Sequence, residues 1–450
     1  MDWLGSTRAR AVMAGALFTL GLCACADRTV EAPGQPAAPS AQSAPAPALD
    51  TQPGAFSEAG LAAIDARLNQ LVDNGDRSGV VMMLARDGEI EHVATAGYAD
   101  IADETPMRAD TPVRIASMTK PITAAAILIL VEDGVLELDD PVSDYIPAFA
   151  EARVATSLQI DEAYELPTAT LERALTIEDL LTHTSGIGYV FDYQTDLGAL
   201  YISEDIYQGA ADYTMAERME TLAGLPLYFQ PGERWHYSYA NDVLGHVIEV
   251  AAGESLEAFM QARIFTPLGM EDTTFFPDEA LMARLATLYT HNDVGDMVAV
   301  EGAADAVRNA PFAAGGAGLI STAEDYMRFA RMLAAGGVLD GVRVLSQDSV
   351  DQMTTPHVPL EKMPASMAGA NMAFGYSVSV IVDGPGAHPF RRVGDYGWGG
   401  YFDTGFVISP ASGVIAVVMA QEQPGPSTPD TTSARDVFEP LAYGALPSDS

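Results

Sequence analysis

Ser117-Met118-Thr119-Lys120 is the stretch on which the reading of this 450-residue chain turns. Pro121 and the apolar run Ala124–Leu130 follow it, so a helix is expected to open at the serine. Residues three apart on a helix share a face one turn apart, which lets the Ser117 hydroxyl meet the Lys120 amine. The positive end of the helix favours oxyanion character at the serine. A lysine drawn into apolar surroundings can lose its proton and then accept one from the serine. With 24 serines and only two lysines, Lys120 and Lys362, chance supplies about 0.1 such pairs. A helix-start serine beside a surface lysine is the plainer reading, and the apolar context weighs against it.

The rest of the composition sets limits. Against 23 Lys+Arg stand 62 Asp+Glu, a formal charge of −39. Such a chain has no electrostatic grip on nucleic acid or on an anionic membrane face. A hydrophobic content of 48% with 19% charged residues marks a globular protein.

The two ends read differently from the middle. Arg8 and Arg10 precede an uncharged run, Ala11–Ala26, too short to span a bilayer but suited to a secretory signal. The run closes on Leu22-Cys23-Ala24-Cys25, which resembles a bacterial lipobox with Cys25 as the lipidated residue. An ordinary signal peptide that happens to end in cysteine is the alternative. Both cysteines lie here, so the body is left without a disulfide, a thiolate nucleophile or a zinc–cysteine site. Residues 31–50 hold five Pro and seven Ala, the composition of an extended tether. The expected organisation is a signal over 1–24, a lipidated cysteine and tether over 25–54, and one domain over 55–445. That places the body outside the cytoplasm, in the periplasm of a Gram-negative cell and held to a membrane by its lipid.

Within the body, apolar residues recur at helical spacing from Phe56 to Asp73, with Ser57 as the cap. Val80–Leu84 and Ile90–Ala96 flank Asp87-Gly88, a hairpin signal. Strands are expected again at Tyr376–Val382, Gly405–Ile408 and Val414–Met419. Helical signals fill the middle, at Ile122–Val131, Ile177–Leu181, Val243–Ala252 and Ala323–Ala334. The simplest architecture is α+β: one sheet built from both ends of the chain, with a mostly helical portion, roughly 121–310, inserted between them.

Two further elements carry chemistry or packing. Pro231-Gly232-Glu233-Arg234-Trp235-His236-Tyr237-Ser238-Tyr239-Ala240-Asn241-Asp242 is a turn followed by aromatic and hydroxyl residues. Gly394-Asp395-Tyr396-Gly397-Trp398-Gly399-Gly400-Tyr401 stands directly before an expected strand, and its small residues would let a substrate approach the backbone. Each could equally be an ordinary loop. The order of Ser-x-x-Lys, a Tyr-Ser element and a glycine-rich element on a late strand resembles the serine β-lactamase and penicillin-binding-protein superfamily. Leu180-Leu181-Thr182-His183-Thr184-Ser185-Gly186, Phe265–Met270 and Ala314–Leu319 support the resemblance, which runs from Phe56 to Tyr443. It implies the β-lactamase/transpeptidase-like fold: an antiparallel sheet flanked by helices.

The departures point to one branch. Class C β-lactamases and DD-peptidases carry Tyr-x-Asn in the second element, whereas here Tyr239 fills the Asn place and Tyr237 the tyrosine place. Their third element is Lys-Thr-Gly; here it is Trp398-Gly399-Gly400. Tyr-Ser-x-Ala-x-Asp with Trp-Gly-Gly resembles family VIII carboxylesterases. An indole in place of a cation suits a neutral ester better than a penicillin carboxylate, although Arg391 and Arg392 could supply the lost charge. The resemblance implies Ser117 as nucleophile, Lys120 and Tyr237 bonded to each other and sharing the role of base, and the backbone N–H groups of Ser117 and Tyr401 as the oxyanion hole. It also implies a substrate wall of Trp398, Gly399, Gly400 and Tyr239. Tyrosine is ordinarily a poor base, with a pKa near 10, unless an ammonium stands beside it. No metal or other cofactor is called for.

The expected activity is hydrolysis of small or short-chain esters through an acyl-enzyme. β-Lactamase or D-amino-acid peptidase activity is the enzymatic alternative, and a sensor that acylates without turnover is the non-enzymatic one. No serine sits in Gly-x-Ser-x-Gly, which argues against an α/β-hydrolase elbow. A triad through His183 or His236 is conceivable, but His183 is expected to fix a loop by hydrogen bonding. Oligomeric state is left open.

Overall fold

The computed structural model describes residues 55–447 apart from 163–164, 208–212, 387 and 426–430. The signal, Cys25 and the tether up to residue 54 lie outside the described residues. Helix α1 (Glu58–Asp73) opens where Ser57 accepts the amide of Gly60 and buries Ile64, Leu68 and Leu71. Strands β1 (Gly79–Arg86) and β2 (Glu89–Asp100) form the expected hairpin. Asp87 and Gly88 both take positive φ, 50° and 87°, the conformation that matches a two-residue turn to the twist of its strands.

Strand β3 (Thr105–Pro106) continues the sheet. Late in the chain come β4 (Met372–Phe374), β5 (Ser379–Ile381), β6 (Tyr396–Gly400), β7 (Thr404–Ser409) and β8 (Val414–Ala420). The sheet order is β4-β5-β6-β7-β8-β1-β2-β3, with every pair antiparallel. Val80 pairs with Ala420 and Arg86 with Val414, so the two distant parts of the chain close one sheet at its centre.

The glycine-rich element, set before a strand by its residues and on one by the resemblance, is itself β6 over Tyr396–Gly400. One expectation is corrected here. The strand expected over Tyr376–Val382 is only Ser379–Ile381, because Gly375 and Val378 close a turn in which Ser377 takes φ 58°.

Alternation divides the core. Val80, Met82, Leu84, Val407, Ala416 and Val418 face α1 and the last helix, α6 (Ala434–Gly444). Val81, Met83, Phe406, Ile408, Val417 and Met419 face the larger core on the other side. That core surrounds α2 (Thr119–Glu132), buried from Thr119 to Leu130 and apolar on every side, as befits a helix enclosed by protein. Around it pack α3 (Ile177–Leu181), α4 (Ala240–Ala252) and α5 (Ala323–Ala334). Together these elements deliver the start of α2, the start of α4 and the end of β6 to one place.

Candidate active site

Ser117 lies on a single 3₁₀ turn, Ala116–Met118, that runs straight into α2. Its neighbour Ala116 is buried with φ 45°, a left-handed conformation that a small side chain tolerates best. The turn is pinned from two sides. Ile115 donates its amide to Leu319 O, and its carbonyl accepts the Thr404 hydroxyl at 3.2 Å.

The three residues expected to do the chemistry converge. The Tyr237 hydroxyl donates to Ser117 Oγ at 2.6 Å, and Lys120 Nζ reaches the same oxygen at 3.4 Å. Lys120 is fully buried, and its shorter bond, 2.7 Å, goes to Gly316 O. The expected bond between Lys120 and Tyr237 is not formed among the described residues. The amine stands 4.6 Å from the centroid of the Tyr237 ring and 5.7 Å from that of Tyr189, held by ring faces and by Gly316.

Aromatic side chains fix Tyr237. His183 lies 5.0 Å from it, Tyr189 5.4 Å, Trp398 5.8 Å and Trp235 6.0 Å, centroid to centroid. Trp398 and Trp235 also pack edge-on against Phe374. The indole of β6 therefore joins an apolar wall at the tyrosine. A second aromatic path runs outward from Tyr189 through Phe191 to Tyr401, whose exposed rings stack 6.3 Å apart. Tyr401 follows β6 directly, next to the turn that carries Ser117.

Three members of the expected substrate wall behave differently. Tyr239 is fully buried: its hydroxyl donates to Asp205 at 2.6 Å and its ring packs between Tyr189 and Tyr207. It supports the wall from behind because its position at the start of α4 turns the side chain inward. At Gly400, an added Cβ would stand 2.2 Å from both Ile115 O and Thr404 Oγ1. This glycine lets β6 seat against the serine turn. The would-be Cβ of Gly399 points the other way, 2.7 Å from the Arg435 guanidinium. Their smallness serves close packing of protein on protein rather than close approach of a substrate.

The charge suggested for Arg391 is committed elsewhere. Its buried guanidinium pairs with Glu439 of α6 and donates to Ser379 Oγ at 3.2 Å. Lys362 donates to Gly232 O at 2.8 Å. His183 is a loop fixture, as expected: buried, with φ 54°, it bonds through Nδ1 to Ser238 Oγ at 3.0 Å, and its carbonyl accepts the His236 amide. Burial, and after it the positive charge of Lys120, pushes the His183 pKa well below the ordinary imidazole value, so the ring is neutral.

Residues that sequence reasoning left without a role complete the surroundings. Asp242, in the first turn of α4, is fully buried and accepts the Tyr207 hydroxyl at 2.9 Å and the Gly316 amide at 3.0 Å. Burial raises its pKa to about 6 against the lowering pull of Lys120 and these hydrogen bonds. Asn241 donates to Lys120 O and Ser377 Oγ, and Thr123 to Gly315 O. Asp242 was visible as the end of the Tyr-Ser-x-Ala-x-Asp pattern. Tyr189 was visible only as one aromatic residue among several after Gly186.

The Beta-lactamase family model matches residues 64–438 of the chain. The chain belongs to the β-lactamase family. Esterase EstB of Burkholderia gladioli is 33% identical over 413 residues, 86% of this chain and 98% of that one. Lovastatin esterase of Penicillium rubens is 32% identical over 350 residues, 75% of this chain and 82% of its own. Among solved structures, EstCE1, a hydrolase with promiscuous acyltransferase activity, superposes with a TM-score of 0.71 at 24% identity, covering 86% of this chain and 98% of that one. The β-lactamase/transpeptidase-like fold and an esterase-type serine hydrolase follow from these likenesses.

Proposed function

We propose that this β-lactamase-family protein is a carboxylesterase that cleaves small, neutral, short-chain esters through an acyl-enzyme on Ser117. The observation that carries the reading is the convergence of Tyr237 and Lys120 on one serine oxygen, at 2.6 and 3.4 Å. A nucleophile within hydrogen-bond reach of its base is the geometry covalent catalysis needs.

Ser117 Oγ attacks the ester carbonyl carbon while its proton passes to the Tyr237–Lys120 pair. The carbonyl π electrons move onto oxygen, where the N–H groups of Ser117 and Tyr401 receive the negative charge. Collapse of the tetrahedral intermediate breaks the bond to the leaving alkoxide, which takes the proton from the pair. Water then adds to the acyl carbon, giving a proton to the pair. Collapse releases the carboxylic acid, and Ser117 recovers its proton.

Trp398 supports an ester over a lactam. It puts an apolar ring, backed by Phe374 and Tyr237, where the lactam-processing relatives carry a lysine. Arg391, bound to Glu439, does not replace that charge. The lipobox-like Cys25 and its tether support export and a lipid anchor; radiolabelled palmitate that survives Cys25→Ser would remove the anchor from the proposal.

The test of the whole reading is Ser117→Ala. It is expected to abolish p-nitrophenyl butyrate hydrolysis and labelling by a fluorophosphonate. Labelling retained in this variant would place the nucleophile elsewhere.

A further inference from the structure

We infer that Asp242 is a positioning residue: the buried counter-charge that holds Lys120 in place beside Ser117 through the Gly316 peptide. The inference rests on the Ser117 reading above and adds to it the group that fixes the amine.

The argument is geometric. Lys120 is a fully buried amine whose shortest bond goes to a neutral carbonyl, Gly316 O, at 2.7 Å. The amide of the same residue donates to Asp242 Oδ1 at 3.0 Å. One glycine thus spans the carboxylate and the amine, hydrogen-bonded to each. Its place leaves no slack: a Cβ at Gly316 would stand 2.4 Å from Asp242 Oδ2, and one at Gly315 would stand 2.5 Å from Asn241 O. Because the bridge is a peptide, Asp242 can orient and balance the amine without bonding to it or taking its proton.

Other groups face this carboxylate, and among the described residues none supplies a competing cation. Tyr207 donates its hydroxyl to Oδ2. Tyr189 approaches through its contact with Tyr207, and Tyr239 and Asp205 lie beyond. Lys120, on the neighbouring helix, is the cation among them. A buried carboxylate is costly unless compensated, and so is a buried ammonium. Each offsets the other here. The amine is thereby fixed under the Tyr237 ring, 4.6 Å from its centroid and 3.4 Å from Ser117 Oγ.

Two variants of the full chain test this, read by the pH dependence of p-nitrophenyl butyrate hydrolysis. Asp242→Asn keeps the shape and the acceptor for the Gly316 amide but removes the charge. Its kcat is expected to fall about tenfold with KM little changed. With no carboxylate left to be neutralised near pH 6, the acid limb of kcat/KM that Asp242 sets moves to lower pH. Tyr207→Phe keeps the charge but removes a hydrogen bond that favours it. Asp242 is then neutralised at higher pH, and the acid limb moves upward. Opposite displacements in the two variants support the assignment. Superimposable profiles, with activities within twofold of the wild type, would overturn it. If Asp242→Asn does not fold, Tyr207→Phe decides alone, since a merely structural aspartate leaves its acid limb unmoved. Failure of the underlying reading shows separately, as fluorophosphonate labelling that persists in Ser117→Ala.

Discussion

Gly400→Ala separates two explanations for a small residue beside a nucleophile. If Gly400 lets a substrate approach the strand, a methyl group there narrows the cleft, raises KM and leaves bound substrate to react normally. The structure demands a different outcome. The new Cβ would lie 2.2 Å from Ile115 O and 2.2 Å from Thr404 Oγ1, while ordinary contacts begin near 3.4 Å. Relief requires the turn and β6 to part by about 1.2 Å, the difference between those distances. Ile115 is two residues from Ser117, and its carbonyl also accepts the Thr404 hydroxyl, so the displacement passes to the Ser117 hydroxyl and to the Tyr401 amide together. A misplacement of about 1 Å at a reacting centre costs roughly 100-fold in rate. Overpacking of this kind costs about 1–3 kcal/mol of stability, a tolerable loss for a domain this size. The assay is steady-state hydrolysis of p-nitrophenyl butyrate beside a thermal melt. Expected are a kcat lower by about two orders of magnitude, KM within a factor of about three, and a folded protein. A variant with normal kcat and raised KM would refute the packing argument and restore the substrate-approach reading.

Three further outcomes follow from the same structure. Trp398→Lys restores a cation at the apolar wall, so the ratio of p-nitrophenyl butyrate to nitrocefin hydrolysis should fall by about tenfold or more; an unchanged ratio means the indole does not select against lactams. Tyr239→Phe strips the hydroxyl from half-buried Asp205, and chemical denaturation should show a loss of about 0.5–1.5 kcal/mol with KM unaltered; a raised KM would return Tyr239 to the substrate wall. Glu422, fully buried near Arg77, has its pKa raised from 4.5 to about 7, first by burial. Its folded pKa exceeds its unfolded one, so the stability it contributes is complete below pH 4.5 and is lost as pH rises through about 7. Melting temperatures of Glu422→Gln relative to wild type should therefore be more favourable at pH 8 than at pH 4.5, and a pH-independent difference would contradict the assignment.

Local signals made most of the frame legible. The Ser57 cap, the Asp87-Gly88 turn and the apolar runs of β7 and β8 each depend on residues close in sequence, and α3 and α5 have the bounds their patterns indicate. Ser117 and Lys120 could be paired for the same reason, because three residues along a helix fixes their proximity. Tyr237 lies 120 residues from Ser117 and was reached only by resemblance. The bond expected between Lys120 and Tyr237 was misjudged because the partner that holds the amine, Gly316, is 196 residues away and offers a backbone carbonyl. No side-chain pattern announces such a partner. Asp242 was visible in its motif but its role was not: its charge acts through a glycine whose own sequence signal is only that it is small.

The errors at Gly399, Gly400 and Tyr239 share one cause, which is direction. Motif matching places a residue near a site; the element it sits on decides where its side chain points. Successive residues of a strand face opposite sides. With 396–400 recognised as β6, Trp398 and Gly400 fall on one face and Gly399 on the other. Trp398 then meets Tyr237 and Phe374, Gly400 abuts Ile115, and Gly399 turns toward Arg435 of α6. Treated as a loop before a strand, the same residues seemed free to present one common surface to a substrate. Tyr239 fails by the same logic at the entry to α4, where the hydroxyl of Tyr237 reaches the serine and that of Tyr239, two residues on, reaches the half-buried Asp205. In this site the tyrosine that touches Ser117 and the tyrosine that stands behind it differ by their position relative to one helix start.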